Sequence, residues 1–139
     1  MNGQVSTRKL PGRLLAGVLL ASLWFCPSAT AAEAGREMRI KAAVIYKLAK
    51  FVDWPETSFE HAHSPLRLCL LGNTPLADAL QAIAGRAVHD HPLAVSRIGD
   101  LAAGERCHLV YVSGDQKPRL LAIFARLGDK PVLSISEIE

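Results

Sequence analysis

Residues 66–97 read LRLCLLGNTPLADALQAIAGRAVHDHPLAVSR, and this stretch decides the fold. Its first six residues form a short apolar run, of the kind found in a strand buried on both faces. Gly72-Asn73-Thr74-Pro75 follows. Thr74 suits the cap of a helix and Pro75 its first position. Leu76, Ala79, Leu80 and Ile83 then recur at helical spacing, and Gly85 supplies a stop. Residues 93–97 read as a second strand. Strand, helix and strand in that order make a βαβ unit, which implies parallel pairing.

Towards the carboxyl terminus, residues 108–112 are expected to form a third strand and residues 132–136 a fourth. A helix over residues 117–127, with Pro118 in its first turn and Gly128 as its stop, joins them. Its Leu120, Leu121, Phe124 and Leu127 are expected to face inward. Residues 98–107 form the crossover, with one helical turn over 101–103. Upstream, residues 36–52 read as the first helix. Val44, Ile45, Leu48, Phe51 and Val52 are assigned to its core face. Pro55 ends that helix, and the polar residues 56–65 form a surface loop. The alternation predicts an α/β protein, a three-layer sandwich with a mainly parallel, flavodoxin/Rossmann-like sheet.

The amino terminus is of a different kind. Arg8, Lys9 and Arg13 precede an apolar run over residues 14–25, and Ala29-Thr30-Ala31 follows. This is the order of a secretory signal peptide, and the run is shorter than the ~20 residues a spanning helix needs. Residues 1–31 are therefore read as a signal and 32–139 as one domain, exported to the periplasm. Lipidation at Cys26 and an uncleaved anchor are the alternatives. Removing three basic residues from sixteen leaves thirteen, against thirteen acids. The net charge of the mature chain is zero, so the basic balance of the whole sequence is no argument for nucleic acid.

Cys26 leaves with the signal, so Cys69 and Cys107 remain as an even pair in an oxidising compartment. A disulfide is expected, with two buried free thiols as the alternative. A bridge needs Cα atoms roughly 4.4–6.8 Å apart, which neighbouring strands meet. With the four strands numbered in chain order, the order 2-1-3-4 puts the first beside the third.

No constellation argues for catalysis. Residues 72–75 lack the spacing of a dinucleotide or Walker loop. The pairs His61/His63 and His89/His91 sit in polar loops with no Glu or Cys to complete a metal site. Ser113-Gly114-Asp115 is a turn and not a nucleophile elbow, and no nucleophile accompanies His108. No catalytic residue, metal ligand or cofactor is expected. Residues 41–55, KAAVIYKLAKFVDWP, are unusual in carrying Tyr46, Phe51 and Trp54 together. Lys47, Lys50 and Trp54 are the candidate partner-binding residues, since such aromatic and charged mixtures mark interfaces. The competing assignment is that Trp54 plugs the end of the core.

The signal, the segment KAAVIYKLAKFVDWP, LRLCLLG at 66–72, CHLVYVS at 107–113 and PVLSISE at 131–137 together resemble the YfiR family of small bacterial periplasmic proteins. The resemblance implies a non-enzymatic regulator that binds and represses a membrane-bound diguanylate cyclase through its periplasmic region. It implies lowered cyclic di-GMP and less biofilm. An outer-membrane lipoprotein is an implied second partner, and a homodimer is left open. It also implies that Cys69 and Cys107 match a disulfide-bonded pair, and that envelope redox state bears on control. Family members continue well past the position of Glu139, so the chain is expected to be a shortened form with an open sheet edge. The rival reading is a periplasmic small-ligand-sensing domain linked to a sensor kinase or transport system. It would bind at the carboxyl ends of the strands, near residues 72–74 and 113–115.

Overall fold

The computed structural model describes residues 29–101 and 106–137. Residues 1–28 of the expected signal, Cys26 among them, and residues 102 and 103 of the expected turn lie outside them, while residues 29–31 open the first helix. The described elements are α1 (Ala29–Phe51), β1 (Leu66–Leu71), α2 (Ala77–Gln81), β2 (Ala87–Val88), β3 (His91–Ile98), β4 (Leu109–Val112), α3 (Leu120–Leu127) and β5 (Leu133–Ser136). They form an α/β domain with a mostly parallel five-stranded sheet in the order β2-β3-β1-β4-β5.

The four parallel strands follow the 2-1-3-4 order. β1 lies at the centre, with Leu68 beside Val95 of β3 and Leu109 of β4. β5 extends the sheet in parallel from β4. Centrality explains the composition of β1, because a strand covered on both faces carries apolar residues at both parities. Leu66, Leu68 and Leu70, with Leu93, Leu109 and Tyr111, join the core under α1 and α2. Cys69, Leu71, Val110 and Val112 take the alternate positions and pack with Ile123 of α3. Each fully buried leucine contributes about 1.5–3 kcal/mol.

One strand departs from the sequence reading. β2 pairs antiparallel with the start of β3, Val88 opposite His91, through a tight turn at His89 and Asp90. His89 adopts φ +51°, which a histidine tolerates at modest cost. The second strand therefore begins at His91, not Leu93.

Two helix faces also require correction. Val44, Leu48 and Phe51 are exposed, Phe51 by 85 %, and the buried face of α1 is Ala42, Ile45 and Ala49. Contacts on both flanks fix this rotation. Tyr46 donates its hydroxyl to the carbonyl of Ala87 at 2.6 Å. Lys41 on the other side bridges Glu37 at 2.7 Å and Glu137, just past β5, at 2.8 Å. Small alanines then let the helix lie close to the sheet. In α3, Ile123 is buried, whereas Leu121 is 86 % exposed and Phe124 is also exposed. Residues Gly114–Arg119, including Pro118, form a 3-10 turn ahead of α3, which shifts the phase of the inward face.

Candidate functional site

Four places bear on function: the turn pair, the cysteine pair and α1 were singled out by the sequence, whereas the cavity was not and emerges only from the fold. The first is the turn pair at the carboxyl ends of β1 and β4. Residues 72–74 and 113–115 do come together, but the Asp115 side chain fills the space between them. It accepts the Ser113 hydroxyl and the Asn73 backbone N–H, and these bonds hold its carboxyl below the usual carboxylate range. Gly72 makes the approach feasible, with φ +92° and no side chain to meet Ser113 or Asp115.

The second place is the amino-terminal end of the sheet. A cavity of about 680 Å³ opens there, lined in part by Ser58, Arg106, Cys107, His108, Arg126 and Val132. Asp100 on its rim pairs with Arg126 at 3.0 Å and Arg119 at 3.1 Å. Burial lowers the pKa of His108 below its ordinary value. Its Nδ1 accepts the Arg67 backbone N–H at 3.0 Å, so the proton lies on Nε2, which donates to the Ser58 carbonyl at 3.1 Å. Phe59 stacks between this ring and His91, with centroid distances of 4.5 and 3.6 Å. Both histidines thus serve as packed, hydrogen-bonded partners. His91 bonds the Ser64 carbonyl through Nδ1 at 2.7 Å, while His61, His63 and His89 stay exposed. No group of three or more metal-ligating side chains forms among the described residues.

The third place is the cysteine pair. Cys69 and Cys107 are joined by a disulfide, with Cα atoms 5.9 Å apart. The bridge ties the middle of β1 to the chain entering β4, beside the cavity.

The fourth place is α1. Lys47 and Lys50 are exposed on its outer surface. Trp54 is half-buried beyond the helix end, packed on the main core. Its indole N–H donates to the Ala49 carbonyl at 3.2 Å, satisfying one of the helix's terminal acceptors. Its ring meets His108 edge to face. The aromatic residue among the cations is instead Tyr46. Lys50 Nζ lies 5.5 Å and Arg86 Cζ 5.8 Å from its ring centre. The Tyr46/Lys50 spacing of four was visible in the sequence. Arg86 was not, because only the packing of the β2 hairpin against α1 brings it there.

Comparison with known proteins gives one finding. The family profile described as YfiR/HmsC-like matches residues 38–139, most of the chain. No curated protein and no solved structure gives a significant match.

Proposed function

The chain belongs to the YfiR/HmsC-like family, and from that premise we propose that it is a periplasmic regulator that binds and represses a membrane-bound diguanylate cyclase. Repression lowers cyclic di-GMP and, with it, biofilm formation. The family match over residues 38–139 carries this reading. The disulfide agrees with an oxidising compartment. The protein acts by association, not catalysis. Its partners are the cyclase's periplasmic region and, as a sequestering partner, an outer-membrane lipoprotein. The partner-facing surface is the outer edge of α1 at Lys47 and Lys50, with Trp54 setting the end of that edge. The layered, flavodoxin-like view of the fold goes with this reading, since α1 and α2 pack on one face of the sheet and α3 on the other.

The test is co-expression with the cyclase encoded nearest to it. Lower cyclic di-GMP and co-purification with the cyclase's periplasmic region are expected. Unchanged cyclic di-GMP together with no co-purification would sink the reading. The cavity at the amino ends of β4 and β5 favours a second reading, a small-ligand sensor linked to a kinase or transport system.

A further inference from the structure

The outer face of α1 carries an apolar stripe with no cover among the described residues. Ile40, Val44, Leu48 and Phe51 are all exposed, and they step by four, four and three. At 1.5 Å per residue the stripe is about 16 Å long, roughly three turns. Beside it runs a second row, Arg36, Arg39, Ala43, Lys47 and Lys50, each residue but the first preceding a stripe residue by one. All four cations of that row are exposed, and Arg86 extends it across the Tyr46 ring. Among the described residues, none of Arg36, Arg39, Lys47 and Lys50 pairs with a carboxylate. The opposite border differs. There Glu37 and Lys41 pair with each other, and Lys41 also holds Glu137.

We propose that this stripe docks a helix of a partner protein, about three turns long, apolar on one face and lined with Asp or Glu along the edge that meets Lys47 and Lys50. This deepens the proposed function and rests on it, because the partner in question is the cyclase's periplasmic region. The width of the stripe, a single row of side chains, fits ridge-into-groove packing of a second helix. The lone basic border fixes the sign of the partner's charge, since like charges across an interface select against it. A second copy of this chain fits poorly. Antiparallel two-fold pairing of the stripes sets the two basic rows against each other. Parallel pairing sets them against carboxylates that Lys41 already holds. An anionic lipid surface fits poorly too, because Glu33 and Glu37 lie at the amino-terminal end of the stripe.

Two variants of the full chain test this: Phe51→Asp, and the double change Lys47→Glu with Lys50→Glu. Leu121→Asp, on the exposed side of α3, is the control. Binding of the purified periplasmic region of the cyclase is measured for each. At least tenfold weaker binding is expected for both α1 variants, with the control unchanged. Reversing acidic residues of the bound helix to Lys should restore binding to the double variant. Wild-type binding that neither α1 change weakens would overturn this inference, and with it the assignment of the Lys47/Lys50 edge, and leave repression of the cyclase standing. The stripe then stands apart from that function if the wild type ignores the cyclase region yet binds a synthetic Leu/Glu amphipathic helix, and loses it on Phe51→Asp. The wild type binding neither probe overturns both. Loss of thermal stability or of dimer mass in Phe51→Asp would place the chain itself, or a second copy, on the stripe. Binding of phosphatidylglycerol vesicles in place of both protein probes would assign it to a membrane. Either result overturns the proposal.

Discussion

His108 Nδ1 accepts the backbone N–H of Arg67 at 3.0 Å, and this bond requires an unprotonated nitrogen. Burial holds the His108 pKa below 6.5, and the charges of Arg67 and His91 act in the same direction. The hydrogen bond to the Ser58 carbonyl pushes back only partly. The unfolded chain therefore binds more protons than the folded one just below pH 6.5. The stabilisation is fully present above about pH 6.5 and is lost as pH falls towards the folded pKa. Urea midpoints measured at about pH 7.5 and about pH 5.5 should fall on acidification. The fall should be smaller in His108→Gln, which keeps a donor and an acceptor. Equal falls in the two proteins would assign the acid sensitivity to other groups.

Cys69→Ser and Cys107→Ser should each lower stability by about 2–5 kcal/mol. The cysteines lie 38 residues apart, a loop for which the chain-entropy model gives roughly 4 kcal/mol. The double variant should match either single one, because both remove the same bond. Wild type in reductant should unfold at the same urea concentration as the variants. A reductant-insensitive wild type would count against a structural role for the bridge.

Gly72→Ala should be costly where Gly114→Ala is nearly neutral. At Gly72, φ +92° alone costs an alanine of order 1–3 kcal/mol. Its methyl group would also strike Ser113, Asp115 and, at 2.8 Å, Gln116 Cγ. At Gly114 an added methyl group meets nothing within 4 Å. Thermal denaturation of the two variants makes the comparison, and similar melting temperatures would refute it.

On α1, Ile45→Ala should cost about 2–5 kcal/mol, the range for a cavity left in a packed core. Leu48→Ala, three residues on and 42 % exposed, should stay within about 0.5 kcal/mol. Chemical denaturation of both variants checks the rotation of the helix. Comparable losses would mean that Leu48 is covered.

The parallel strands, their order and the presence of a helix after the first and third of them were legible in the residues alone. β1 is apolar at both parities because it is central, and Gly, Pro and Thr at 72–75 punctuate the chain through purely local backbone preferences. The cysteine pair was legible for a similar reason, since two thiols in an oxidising compartment have few alternatives. The family was legible in the segments around these features, each a local run of side chains. Which way each helix turns was set by packing. In α1, apolar residues occur on more than one face, so periodicity placed Ile45 in the core correctly but took Val44, Leu48 and Phe51 with it and passed over Ala42 and Ala49. The choice is made by Tyr46 reaching Ala87 and Lys41 reaching Glu137, contacts 41 and 96 residues away along the chain. Trp54 turned towards the Ala49 carbonyl and His108 on the same terms. The β2 hairpin escaped notice because two residues are too short for any period. Its packing places Arg86 beside Tyr46 and completes the basic border of α1. Side-chain spacing is fixed by the local backbone, whereas the orientation of an element is fixed by partners distant in sequence.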